Sequence, residues 1–170
     1  NNSNNVGVGA SALLAVTTGS ANVAIGKSSM AADTDGLNNV AIGLGSLQAL
    51  TSSSQNVAIG SGAMESMDDT ADGLANCVAI GYQAFAGSAT ATTTGANGTV
   101  AIGHSALTAL TSGSGNVAVG YQSLDAQTDG SNNTAIGYRT LSALNSGGTA
   151  NVAIGKDAGL SVSGSSSDYN

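Results

Sequence analysis

A five-residue phrase, Asn-Val-Ala-Ile-Gly or a close variant, recurs nine times and constrains the fold of this chain more than any other feature. The phrase ends at Gly9, Gly26, Gly43, Gly60, Gly81, Gly103, Gly120, Gly137 and Gly155. Successive glycines are 17, 17, 17, 21, 22, 17, 17 and 18 residues apart. A period this short is typical of a solenoid, in which each repeat forms one coil stacked on the next.

We therefore predict an all-β fold, a parallel β-solenoid of nine coils of about 17 residues. Residues 1–170 form a single repeat domain in this interpretation. We number the positions of each coil from the residue that precedes the first Val of the phrase. The coils then begin near Asn5, Asn22, Asn39, Asn56, Cys77, Thr99, Asn116, Asn133 and Asn151.

Position 1 is Asn in seven of these nine coils, with Cys77 and Thr99 as the exceptions. Stacked Asn amides can hydrogen-bond from one coil to the next, so we expect an asparagine ladder. Each exception follows one of the two long coils, which suggests that the ladder depends on regular stacking.

Positions 2 and 4 are mostly Val and Ile, whereas positions 3 and 5 are mostly Ala and Gly. Alternation with a period of two predicts a strand with two unlike faces. We expect the Val and Ile side chains to fill the coil interior, so that Val57→Asp would unfold neighbouring coils. The Ala/Gly face would then be a flat strip that meets another surface. The alternative is that the small residues line a narrow interior.

The rest of each coil follows a less decisive pattern. Position 9 is large and apolar and position 12 is often apolar, a spacing that suits either a short helical turn or a second bent strand. Positions 13 to 17 have the composition of a polar turn. The two longer turns, residues 68–76 and 89–98, should bulge from the rod and are candidates for partner contact. Neither end carries a charged or Pro-rich cap, so we expect a longer chain or end-to-end stacking.

Composition excludes several classes of function. The net charge is −7 with only three basic residues, which argues against binding of nucleic acid or of anionic membrane surfaces. No apolar run approaches the roughly 20 residues of a membrane span, so we expect no membrane insertion. The single cysteine, Cys77, cannot form an internal disulfide, and we expect it to be buried.

Two segments carry a resemblance to a known group of proteins. Residues 77–85, Cys-Val-Ala-Ile-Gly-Tyr-Gln-Ala-Phe, resemble the Ala-Ile-Gly repeats in the heads of trimeric autotransporter adhesins. Residues 133–138, Asn-Thr-Ala-Ile-Gly-Tyr, are similar to repeats of bacteriophage tail fibres. The resemblance implies a left-handed parallel β-roll, three chains side by side, and a role as a stalk or an adhesive surface.

Acidic turns suggest one metal site. Asp33 and Asp35 followed by Gly36 and Asn38 form a fragment of a calcium loop, which would make calcium the one candidate cofactor. The twelfth position of a complete loop would be an acidic ligand, but here it is Leu44. The alternative is that these acids are solvated turn residues, as in the turns that contain Asp68 and Asp129.

Position 6 is aromatic in four successive coils: Tyr82, His104, Tyr121 and Tyr138. Stacking should place these rings in a column that could bind a surface glycan or serve as a structural ladder. A second column at position 13, Thr17, Thr34, Thr51, Thr111 and Thr128, raises ice binding as a lesser alternative, but Asp68 and Asn145 interrupt it.

The sequence supplies no catalytic constellation, because His104 has no Ser or Cys partner at a spacing typical of a catalytic site. We therefore expect a non-enzymatic, extracellular fibre or filament segment. It would self-associate as a homotrimer or a longer filament, or act as an adhesin that recognises glycan.

Overall fold

A computed structural model describes residues 3–67, 73–87 and 95–160 and shows nine short strands in one parallel sheet. Neighbouring strands in the sheet are neighbours in the chain, and equivalent residues of the phrase pair with each other. The predicted parallel β-solenoid with one strand per coil is confirmed. The strands are β1 (Val6–Val8), β2 (Val23–Ile25), β3 (Val40–Ile42), β4 (Val57–Ile59), β5 (Val78–Ile80), β6 (Val100–Ile102), β7 (Val117–Val119), β8 (Thr134–Ile136) and β9 (Val152–Ile154).

The asparagines at position 1 form the predicted ladder inside the solenoid. The Oδ1 of Asn22 accepts a hydrogen bond from the backbone N–H of Asn39 at 2.9 Å, and the Oδ1 of Asn39 accepts one from Asn56 at 3.0 Å. The Nδ2 of Asn39 also donates to the carbonyl of Ser53 at 2.7 Å, across the same coil. Each amide therefore joins the start of a strand to the polar turn and to the next coil.

The glycine at position 5 turns the chain out of the strand and lies against the coil above. Gly81 has a φ of 134°, which side chains rarely adopt. A Cβ on Gly81 would lie 2.6 Å from the carbonyl oxygen of Gly103, which is too close for any two such atoms. Only glycine fits this corner, and the backbone that approaches it closely belongs to the next coil of the same chain.

The segment between the glycine at position 5 and the polar turn, positions 6 to 12, is the second leg of each coil, and it is neither a helix nor a strand in the described residues. Ser28 and Met30, at positions 7 and 9, have φ values of 58° and 49°, and this left-handed geometry recurs from coil to coil. Alternating left-handed residues turn the chain repeatedly while it keeps coil-to-coil bonds, such as Met30 N–H to the Ser46 carbonyl at 3.0 Å. The described residues contain no helix long and apolar enough for a membrane crossing.

The side chains of each strand point in the opposite directions to those expected from the sequence. Alanine at position 3 points inward and is fully buried in seven coils, as at Ala24, Ala58 and Ala118. The Val and Ile at positions 2 and 4 point outward, and none of them is classed as buried. The prediction of a Val/Ile interior was therefore wrong, and so was the prediction of an outward strip of Ala and Gly.

The interior explains this reversal. Large residues from the second leg, such as Leu47, Leu50 and Met64, are buried across from the strand. In the first coil, where position 3 is Gly7, an added Cβ would lie 3.3 Å from the Cδ1 of Leu13. The second leg thus leaves space for a methyl group on the strand, and a Val or Ile would overfill it.

Candidate functional site

The outward side chains of the sheet form one continuous surface, which we call the valine–isoleucine face. It consists of positions 2 and 4 of all nine strands, stacked in two columns along the solenoid. Nine strands about 4.8 Å apart make it about 40 Å long. Its members are Val6, Val8, Val23, Ile25, Val40, Ile42, Val57, Ile59, Val78, Ile80, Val100, Ile102, Val117, Val119, Thr134, Ile136, Val152 and Ile154.

This face is strongly apolar and open to solvent in the single chain. Thr134 is the only polar member, and no member is charged. The exposed fraction is 38% at Ile25 in β2 and at Ile136 in β8, where stacked neighbours cover each side chain from above and below, and it rises to 68% at Ile154 in the last strand.

The four aromatic residues at position 6 lie in the predicted column. The ring centroids are 5.0 Å apart from Tyr82 to His104, 5.1 Å from His104 to Tyr121 and 5.3 Å from Tyr121 to Tyr138. The rings of Tyr121 and Tyr138 are nearly parallel, with an angle of 9° between their planes. The column is accessible, because all four residues are exposed.

Stacking restricts what this aromatic column can bind. Both ring faces of His104 and Tyr121 are covered by their neighbours in the column. A sugar that stacks on an aromatic ring needs an open face, which leaves only the outer faces of Tyr82 and Tyr138. Glycan binding at these four residues stays a prediction, and the observed contacts are those of a structural ladder.

His104 also contacts a hydroxyl group, since its Nδ1 lies 2.9 Å from the Oγ of Ser105. A catalytic pair requires a base that a third group orients. The other ring nitrogen of His104 makes no hydrogen bond to any residue that the structure describes. This adjacent Ser–His pair therefore lacks the third member, and the expectation of a non-enzyme stays a prediction.

The candidate calcium ligands differ in their surroundings. Asp33 is buried, and its Oδ1 accepts a hydrogen bond from the backbone N–H of Gly36 at 2.8 Å. Asp35 and Asn38 are exposed on the turn. Within residues 3–67, 73–87 and 95–160, no three acidic, His or Cys side chains lie close enough to share a metal ion. Calcium binding by Asp33, Asp35 and Asn38 stays a prediction, and Asp33 has a structural role in its turn.

The threonine column at position 13 serves the backbone of the solenoid. The hydroxyl of Thr34 donates to the carbonyl of Thr51 at 3.0 Å, and that of Thr111 donates to the carbonyl of Thr128 at 2.9 Å. Donors engaged in this way are not available to order water or ice at the surface. The lesser alternative of ice binding gains no support from this column.

Burial shifts the pKa of Cys77 and of Asp125. Desolvation raises the pKa of the Cys77 thiol from 9.0 to about 11, although backbone hydrogen bonds from Thr99 and Gly98 act in the opposite direction. Desolvation also raises the pKa of Asp125, against its own backbone hydrogen bond and the nearby charge of Arg139. The thiol is therefore protonated and inert at neutral pH, as expected for a buried cysteine.

The residues that sequence reasoning missed are those of the valine–isoleucine face. One signal was present: position 3 never carries a residue larger than Ala, while position 2 accepts Thr134 and position 4 varies between Val and Ile. A strict size limit is typical of a packed interior, and variation is typical of a surface. The predicted bulges lie largely outside the described residues, since both long turns include segments that the structure does not describe.

Comparison with protein-family models, curated proteins and solved structures finds no match for this chain. The resemblance to Ala-Ile-Gly repeat proteins therefore stays a prediction.

Proposed function

We propose that this protein is a structural segment of an extracellular fibre, which associates with copies of itself through the valine–isoleucine face. The observation that supports the proposal is the face itself, with 17 Val and Ile side chains and one Thr in two unbroken columns. Monomeric soluble proteins rarely expose an apolar patch of this extent, because water contact with apolar surface is unfavourable.

Repetition supports a role in spanning distance. Each coil adds about 4.8 Å of length and repeats the same hydrogen bonds, so the fold makes a rod whose length follows from the number of repeats. Few charges and abundant small polar residues suit a fibre outside the cell. In such a fibre the second leg and the aromatic column would remain outward, where they present a surface to other molecules.

Solution mass is the direct test. Multi-angle light scattering should give a mass that is a multiple of 16.1 kDa and that corresponds to a trimer or a longer assembly. Ile42→Asp places a charge within the face, on β3, and should yield a folded monomer. Gln48→Asp adds the same charge to an exposed site on the second leg of the same coil, and should leave the assembly unchanged.

Two results would contradict this proposal. One is a wild-type chain that remains a monomer at high concentration. The other is equal dissociation by Ile42→Asp and Gln48→Asp, which would show that general charge and not the valine–isoleucine face controls association. Binding of the wild type to a glycan array, lost in Tyr82→Ala with the assembly intact, would favour the adhesin alternative.

A further inference from the structure

The aromatic column contains one pair of tyrosines that are direct neighbours. Tyr121 and Tyr138 lie in successive coils, and their ring centroids are 5.3 Å apart with an angle of 9° between the ring planes. Both side chains are exposed, at 41% and 46%. Tyr82 is separated from this pair by His104, whose ring lies between Tyr82 and Tyr121. In the part of the chain that the structure describes, Tyr121 and Tyr138 are therefore the two tyrosines that stack on each other.

The backbone keeps these two tyrosines level with each other. The N–H of Arg139 donates to the carbonyl of Tyr121 at 2.8 Å. The N–H of Gly137 donates to the carbonyl of Val119, also at 2.8 Å. The chain on both sides of Tyr138 is thus bonded to the coil that carries Tyr121. The two rings are neighbours within one folded chain, so a reaction between them needs no collision of two molecules.

The fold does not require an aromatic residue at position 6. The other five coils carry Ala10, Lys27, Leu44, Ser61 and Lys156 at this position. These residues differ in size, polarity and charge, and yet their coils form the same strand. The tyrosines at 121 and 138 are therefore not explained by folding alone. A phenol ring has a chemical property that the other five side chains lack, because it can give up an electron and a proton to form a stable radical.

We propose that Tyr121 and Tyr138 are an oxidative modification site, at which a peroxidase acting with hydrogen peroxide joins the two rings as a dityrosine. Each phenol loses one electron and its hydroxyl proton and becomes a radical. The two radicals combine through the Cε atoms next to the oxygens, which forms a carbon–carbon bond. The Cε–H bond of each ring then breaks, and its hydrogen moves to the phenolic oxygen. The two electrons and two protons that leave the protein reduce one hydrogen peroxide to two water molecules.

The pattern of exposure directs an oxidant to these rings. The sulfur-containing side chains, which peroxide attacks most readily, are all fully or almost fully buried: Met30, Met64, Met67 and Cys77. Oxidation of sulfur follows exposure, so these residues are protected in the folded chain. The exposed rings of Tyr121 and Tyr138 are free to tilt toward each other, which the stacked rings have to do before their Cε atoms meet.

The product would be a covalent bond between adjacent coils that cellular reductants do not break. Tyr121 and Tyr138 are 17 residues apart, so the bond closes a loop of one coil. A cross-link of this kind stabilises a protein mainly because it restricts the unfolded chain. The thermal midpoint of unfolding should therefore rise by several degrees after coupling.

Peroxidase treatment of the dilute protein tests the proposal. All proteins carry Tyr169→Phe, which removes the tyrosine that lies outside the described residues. The treated chain should acquire dityrosine fluorescence, remain a single chain on a denaturing gel and lose the mass of two hydrogen atoms. Digestion of the denatured product at Asp125 and Asp129 should leave the peptides that contain Tyr121 and Tyr138 joined to each other.

Three variants separate this pair from general tyrosine oxidation. Tyr138→Phe keeps an aromatic ring in the column without the phenol, and it should abolish the dityrosine. Tyr82→Phe is the matched control, since it removes an equally exposed tyrosine that has no tyrosine neighbour, and it should leave the yield unchanged. His104→Tyr makes four successive tyrosines and should raise the loss to four hydrogen atoms. Far-ultraviolet circular dichroism should show the same fold in all of them.

The opposite results would overturn the proposal. They are a full yield of dityrosine in Tyr138→Phe, dityrosine found only in covalently joined chains, or no coupling in a wild-type sample in which the same peroxidase couples free tyrosine. The inference does not depend on self-association, because both rings belong to one chain. A wild-type monomer in light scattering would therefore overturn the proposed function and leave this modification site standing.

Discussion

Adjacent residues on one strand should respond oppositely to the same substitution. Ala58 is fully buried in β4, and Val57, one residue earlier, points outward. Ala58→Asp should therefore unfold the coils around it, and Val57→Asp should leave the single chain folded. The comparison holds the coil, the strand and the introduced charge constant, so that only the direction of the side chain differs.

The loss of stability expected for Ala58→Asp follows from the packing around Ala58. An unpaired carboxylate in the interior costs about 3–5 kcal/mol. The extra atoms add about 1–3 kcal/mol of overpacking, because position 3 has space for little more than a methyl group. The sum is comparable with the whole stability of a typical domain, about 5–15 kcal/mol. Val57→Asp on the partly exposed surface should cost the single chain less than about 1 kcal/mol.

Urea unfolding followed by far-ultraviolet circular dichroism measures this difference. The measurement should use protein concentrations low enough to dissociate any assembly. The unfolding free energy is then that of the single chain and contains no contribution from the interface. Ala58→Asn and Val57→Asn are uncharged controls that divide the effect between bulk and charge. Equal destabilisation by the two aspartates, or a greater effect at Val57, would show that the strand faces the other way and would refute the reasoning.

Three further substitutions test the corner, the core and the buried thiol. Gly81→Ala places a Cβ 2.6 Å from the Gly103 carbonyl oxygen at a φ of 134°, and should destabilise the solenoid by several kcal/mol in urea unfolding; a near-neutral effect would contradict the observed corner. Gln127 is fully buried without a hydrogen-bond partner among the described residues, at a position where neighbouring coils carry Leu110 and Leu144. Gln127→Leu should therefore stabilise the chain by about 1–3 kcal/mol, and a loss of stability would show that the amide has a structural role. Because burial raises the pKa of Cys77 from 9.0 to about 11, the folded chain keeps a proton that the unfolded chain releases between these values, so stability should fall as pH rises from 9 to 11. Cys77→Ser should remove this part of the pH dependence, and an identical pH profile in both proteins would disprove the assignment.

The repeat by itself determined most of the architecture. Equal spacing of the phrase predicts one strand per coil, and identical residues at each level predict parallel pairing in register, because stacked coils bring equivalent positions together. The asparagine ladder and the aromatic column follow from the same rule, since any residue type that recurs at one position becomes a column. These predictions need only the period of the sequence and not the shape of the coil.

The shape of the coil and its association surface needed the tertiary structure. A strand with alternating Val, Ala and Ile has two faces, and a period of two does not state which of them points inward. That choice depends on the second leg, where left-handed residues at positions such as Ser28 and Met30 turn the chain back across the coil. Non-glycine residues rarely adopt this geometry, and no local propensity predicts it at Met or Leu. Once the large side chains of that leg fill the interior, only Ala fits opposite them, and Val and Ile are left on the outside as an association surface.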